Sequence, residues 1–178
     1  MSEPLTPEQA QRIIKLASSD KTLFCVPRSI CVMSKTLNTM LLNLGIDNTP
    51  MDTNQIPIPL ENVNSKTLAL IITWCNQHVN DAVPVAVDPA TGRTNISAWD
   101  AEFLNVDQKV IFEILLAANY LEITGLIDVC TTRIADSIRG LSPRAIRAKF
   151  DITNDFTPLE EEQLRQENAW AEGYSGKK

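Results

Sequence analysis

The sequence predicts an α+β fold: a small sheet carrying a helical layer, followed by a set of C-terminal helices. Three observations predict it. Two short β-rich segments, "RIIKLAS" and "TLFCVP", flank the turn residues "SSDK" near the start. Capped segments with apolar residues at i, i+3, i+4 and i+7 fill the middle. The last third is cut into three helices by Gly, Ser-Pro and Thr-Pro signals.

Taken in order, the first two segments read as a hairpin, with Pro27 ending its second strand. "SKTLNTMLLNLG" reads as a helix with Leu37, Met40, Leu41 and Leu44 on one stripe, Ser34 as N-cap and Gly45 at C′. "QIPIPL" alternates Ile56, Ile58 and Leu60 with prolines, which lack the ladder donor, so it reads as a short edge strand. "NSKTLALIITWCNQH" resumes helical spacing through Leu68, Ile71, Ile72 and Cys75, with Asn64 as cap. Residues 80–97 have Pro, Gly, Asp and Asn with no helical period and read as a flexible insertion. Order restarts at Trp99 and Phe103. Beyond Leu121, "LIDVCTTRIADSIR" places Ile127, Cys130, Ile134 and Ile138 in one stripe between Gly125 and Gly140. "SPRAIRAKF" opens with Ser142 as cap and Pro143 at N1, and Thr157, Pro158 and Glu160 form a capping box. That last helix is thinly apolar, with Leu159, Leu164 and Trp170, and looks incomplete without something to dock on.

Composition excludes several function classes. A chain of 178 residues suits one domain, or one domain with an appendage, and buries roughly 70% of its unfolded surface. The net charge of −6 disfavours non-specific nucleic-acid binding. No apolar run reaches the ~18 residues a membrane span needs. The polar, acidic start "MSEPLTPEQAQ" is unlike a secretory signal, and the four cysteines form no CxxC pair. A reduced protein of the cytoplasm and nucleus is expected.

Chemistry is sparse. His78 is the only histidine. Its spacing from Cys75 suits half a metal site, but zinc normally takes four ligands and no other Cys/His pair supplies them, so a core cysteine beside a solvent-side histidine is the reading. The six glycines form neither GxGxxG nor a P-loop. No cofactor and no enzymatic activity are expected. Arg139, Arg144, Arg147 and Lys149 cluster locally. They read as a solvated face balanced by Asp155 and residues 160–162, against the other reading of a surface for an acidic partner or nucleic acid.

The segment "KVIFEILLAANYL" poses the sharpest question. Ile111, Ile114, Leu115 and Ala118 form one helical stripe, yet Phe112, Leu116 and Tyr120 lie well off it at ~100° per residue. One buried face accounts for the first group only.

The chain resembles the Skp-type adaptors of Skp–cullin–F-box ubiquitin ligases. The residues that carry the resemblance are "IKLASSD", "IPIPLENVNSKTL", "WDAEFLNVDQ", "LLAANYLEITGLIDV" and "FDITNDFTPLEEEQLRQENAWAE", in order over about residues 14–172. Elongin C, a relative, is similar only through the middle. The resemblance implies a BTB/POZ domain over 12–139 with its insertion at 80–97, F-box-binding helices over 140–173, and tails at 1–11 and 174–178. It carries cullin contact onto Asn119 and Tyr120, and F-box contact onto Ile127, Ile134, Phe150, Ile152, Phe156, Leu164 and Trp170. The function implied is an adaptor, without catalysis, that bridges a cullin to F-box substrate receptors, with weak homodimerisation when no F-box is bound. A self-associating BTB scaffold is the alternative. Family members usually carry "GKTPEEIR" where this chain has "GLSPRAIR", so Leu141, Arg144 and Ala145 replace a lysine and two acids and reverse the local charge.

Overall fold

The computed structural model describes residues 6–48, 56–81, 87–88, 93–94 and 96–168. The chain divides into two compact units, Met1–Arg133 and Ile134–Lys178.

The first unit opens with α1 (Pro7–Gln11), held by a capping box in which Thr6 and Gln9 satisfy each other's backbone donors. Residues 1–11, expected as a tail, therefore contain a helix. The signal was present, since Thr6-Pro7-Glu8-Gln9 repeats the Thr-Pro-x-Glu/Gln pattern that marks Thr157. Strand β1 (Ile13–Ser18) pairs antiparallel with β2 (Leu23–Pro27), placing Ile14 opposite Val26 and Leu16 opposite Phe24. The turn between them uses Lys21 at φ 65, and its ladder closes through Ser18 and Thr22. A four-residue α2 (Arg28–Cys31) follows Pro27 directly.

Helix α3 (Lys35–Asn43) has its expected ends: Ser34 accepts from the Leu37 amide, and Gly45 sits at φ +62. Only half of its expected stripe is buried. Leu37 and Leu41 are inside, whereas Met40 is 37% and Leu44 63% exposed. Strand β3 (Ile58–Leu60) pairs parallel to β1, giving the order β2-β1-β3 with β3 at an edge. Proline suits that position, and the alternation stops at Ile58, leaving Ile56 85% exposed.

Helix α4 (Ser65–His78), capped by Asn64, buries Leu68, Ile71, Trp74 and Cys75. Within the insertion, β4 (Val87–Asp88) pairs antiparallel with β5 (Arg93–Thr94). Its residues 82–86, 89–92 and 95 lie outside the described residues, and the reading of the whole segment as flexible lies there with them. Then come α5 (Ala98–Phe103), α6 (Gln108–Tyr120) and α7 (Thr124–Ile138). Helix α6 buries Ile111, Ile114, Ala117 and Ala118. Leu115 is half-buried, so the core stripe passes through Ala117 instead.

On α7 the expected stripe is rotated. Gly125 lies inside the helix, and the buried side is Gly125, Leu126, Val129 and Cys130, while Ile127 is half-buried. Reading Gly125 as a break hid the first turn of that face. The core of this unit is a dense apolar set with Ile14, Leu41, Leu60, Trp74, Ile114, Ala118, Leu126 and Cys130 all fully enclosed.

The second unit contains the end of α7, then α8 (Pro143–Lys149) and α9 (Pro158–Glu167). Both predicted caps are in place: Ser142 accepts from the Ala145 amide, and Thr157 and Glu160 close the capping box. The Lys149 ammonium donates to the Ser137 carbonyl, tying the end of α8 to the end of α7. Arg147 on α8 and Asn154 in the connecting segment both donate to Glu161 on α9 at 3.0 Å. These polar ties join elements whose apolar side chains are at most half-buried, since none of the described residues 134–168 is buried.

Candidate functional site

Two solvent-facing surfaces stand out, one in each unit. In the first, α6 carries apolar groups on both sides. Its core side is the buried set above, and its outer side shows Phe112 at 37% and Leu116 at 69% exposure. Asn119, expected to contact a cullin, is exposed, and Tyr120 is half-buried. The backbone around them is fixed by α3: the Thr36 hydroxyl donates to the Tyr120 carbonyl, the Ser34 hydroxyl to the Leu121 carbonyl, and the Lys35 amide to the Glu122 carbonyl. Glu122 at φ 52 completes the turn that ends α6. The outer side of α6 is thus a ridge of Phe112, Leu116, Asn119 and Tyr120 on a firmly held helix.

The second surface belongs to residues 134–168. Of the residues expected to face an F-box, Ile134 and Phe150 are half-buried, and Ile152, Phe156 and Leu164 are 54%, 44% and 39% exposed. Ile152 and Leu164 line the same cavity of about 810 Å³ between α8 and α9. Phe156 lies under the Arg147 guanidinium, 5.7 Å from ring centroid to Cζ. Ile127 belongs to the first unit, and Trp170 lies outside the described residues.

Two buried polar nodes escaped the sequence reading. Arg28 is fully buried and donates to both Asp47 oxygens and to Asn38. At the other node, Asp100 accepts from the Trp74 indole at 2.8 Å and from the Ser97 hydroxyl at 2.7 Å. The same carboxylate faces Nε2 of His78 at 3.1 Å, and Asp81 faces the other ring nitrogen. His78 is therefore not a solvent-side residue, since its side chain is only 11% exposed. Trp99 meets its ring edge-on and stacks on Phe103. The Asp100 node joins α4 to α5 over an interval of 26 residues, too long for any local pattern to show.

The three buried thiols do not resemble nucleophiles. Burial pushes Cys31 up to about 11 and Cys75 and Cys130 up to about 12, leaving them protonated near neutral pH. Cys25 is exposed.

Comparison with known proteins bears on the chain as a whole. Residues 12–80 match the Skp1 family, tetramerisation domain, and residues 124–171 match the Skp1 family, dimerisation domain. A Skp1-related protein of Caenorhabditis elegans is 48% identical over 91% of this chain and 93% of its own length. An E3 ubiquitin ligase complex SCF subunit sconC of Talaromyces marneffei is 42% identical over 89% of this chain and 96% of its own. Suppressor of kinetochore protein 1 of Schizosaccharomyces pombe is 44% identical over 89% and 97%. The small sheet, the helical layer and the C-terminal helices are those of a POZ domain with its extension, and the chain belongs to the Skp1 family.

Proposed function

We propose that this chain is the adaptor subunit of a Skp–cullin–F-box ubiquitin ligase. One surface holds the cullin scaffold, the other holds an F-box receptor, and substrates are thereby brought to a ubiquitin-conjugating enzyme. The observation that carries the reading is the second unit: helices with no fully buried residue among 134–168, yet with Ile152, Phe156, Leu159 and Leu164 exposed, have the composition of half an interface. The related Talaromyces protein is named for the same ligase complex. The cullin contact is assigned to Asn119 and Tyr120, with Leu116 and Phe112 beside them. The F-box contact is assigned to Ile127, Ile134, Phe150, Ile152, Phe156, Leu164 and Trp170. The domain partition at 12–139 and 140–173 follows the same reading, as do residence in cytoplasm and nucleus and action without catalysis of its own.

Co-expression with an F-box fragment and an N-terminal cullin fragment tests it. A single species with one copy of each is the expected mass by light scattering. Failure of both fragments to bind overturns the proposal.

A second reading has its own support. The family segments matched are described as dimerisation and tetramerisation domains, and an apolar ridge such as Phe112–Leu116 also suits a second copy of the chain. The same light-scattering run distinguishes them, because self-association alone gives a dimer or tetramer that added F-box does not dissolve.

A further inference from the structure

The cavity between α8 and α9 is lined by three arginines, Arg144, Arg147 and Arg165, and by one carboxylate, Glu161, with Ile152 and Leu164 as apolar wall. Two of the three arginines are answered within the unit. Arg147 pairs with Glu161 at 3.0 Å, and Arg165 pairs with Glu162 at 3.0 Å. The remaining acid of the run 160–162, Glu160, is committed to Thr157 in the capping box. Each carboxylate of residues 160–162 thus has a partner, and among the described residues no acid pairs with Arg144. A cationic group beside open apolar wall selects by charge as well as by shape.

We infer that Arg144 makes this groove selective for F-box segments that present a carboxylate next to an apolar side chain. The apolar side chain lies on Ile152 and Leu164, and the carboxylate meets the Arg144 guanidinium. This rests on the F-box reading above and adds the charge of the partner to it. The adjoining Arg147 and Arg165 contribute positive potential, but their own pairing leaves Arg144 as the contact that decides. Arginine suits the role because its planar fork donates to both oxygens of one carboxylate.

The test uses the full chain and an F-box fragment that binds it, with each carboxylate of the fragment changed singly to its amide. Arg144→Ala should weaken binding about fivefold at low salt, the upper range for a solvent-accessible ion pair, and Arg144→Glu should weaken it further. The loss should shrink as salt rises. One amide change should produce the same loss against the native chain and none against Arg144→Ala. Arg144 is exposed, and unchanged melting temperature in both variants verifies that the fold survives. If every amide change costs the same against the native chain and Arg144→Ala, charge selection by Arg144 is wrong while F-box binding stands. If no F-box fragment binds the native chain, the adaptor reading falls and the selectivity with it. Binding of a duplex oligonucleotide that is lost in Arg144→Ala, without coupling to any F-box carboxylate, overturns it in favour of a nucleic-acid surface.

Discussion

Arg28 donates through Nε to one oxygen of Asp47 and through Nη2 to the other, both at 3.0 Å, with the arginine wholly buried and the aspartate 8% exposed. This fork-to-fork pair fixes the segment after α3 against the end of the sheet, and Gln9 of α1 reaches the Asp47 carbonyl as well. Removing one partner of a buried pair leaves the other charge uncompensated. Asp47→Ala should therefore destabilise the chain by about 3–5 kcal/mol, whereas replacing the pair with Arg28→Met and Asp47→Leu together should cost much less. Urea denaturation of the two variants checks it. Equal losses would show that packing, not charge, sets the cost.

Asp20 offers a pH signature. It accepts hydroxyl hydrogen bonds from Ser18 in β1 and from Ser65 at the start of α4, which hold its carboxyl at about 2, below the ordinary 3.8. The folded chain thus binds that proton less readily than the unfolded chain does. The stabilisation is fully present above the unfolded value of 3.8 and is lost as pH falls toward about 2. The stability gap between native chain and Asp20→Asn should be constant from pH 7 to 5 and close below pH 4. A gap that widens on acidification would have the opposite sign and refute the assignment.

On α6, Leu116 and Tyr120 should separate. Leu116 is 69% exposed, so Leu116→Ala should change stability by no more than about 0.5 kcal/mol. Tyr120 is half-buried and should cost more on truncation. Both variants should weaken cullin binding, Tyr120→Ala by about 2 kcal/mol or more, as anchoring aromatics do. Calorimetry with a cullin fragment, run beside thermal melts, reads both quantities. Cullin affinity unchanged in both variants would remove the ridge from that interface.

Helix α9 is ten residues long with no buried side chain, shorter than the roughly 12–15 residues at which isolated helices become even marginal in water. Its capping box fixes the start, and the Arg147–Glu161 pair is its tie to α8. Amides from Leu159 to Glu167 should exchange fast in the free chain and about tenfold or more slower once an F-box fragment is bound. Strong protection in the free chain would make α9 a settled part of the fold.

Local chemistry was readable in the sequence, and long-range polar chemistry was not. Ser34 and Gly45 on α3, Asn64 on α4, Ser142 on α8 and the Thr157–Glu160 box on α9 each act within a few residues, and each is where the pattern put it. Periodicity located helices better than faces. On α7 the buried side includes Gly125 and Leu126 because the helix begins one residue before the glycine that looked like a stop. On α6, Ala117 is buried where the larger Leu115 was expected, since a small side chain fits close packing as well as a large one. Arg28 and Asp100 were invisible for a different reason. A charged residue in a linear sequence looks solvated until the fold supplies partners 10, 19 or 26 residues away. The surfaces proposed here for a cullin and an F-box were outlined by resemblance and by leftover apolar residues on the wrong side of α6. The sequence showed the charge of Arg144, but that no acid pairs with it among the described residues emerged only once its neighbours were seen to be paired.

The Asp100 node also bears on how this chain can be altered. Asp81, three residues beyond α4, and Ser97 at the start of α5 are both bonded into one cluster, His78 holding the first and Asp100 the second. The two points where the chain departs and re-enters are pinned side by side whatever lies between them. Material spliced in at that place meets mainly a closure entropy that grows by only about 0.6 kcal/mol for each doubling of length. The interval between 81 and 97 is accordingly the natural port in this scaffold for a fluorescent label, a small reporter domain or an affinity handle, leaving the α6 ridge and the α8–α9 groove unmodified.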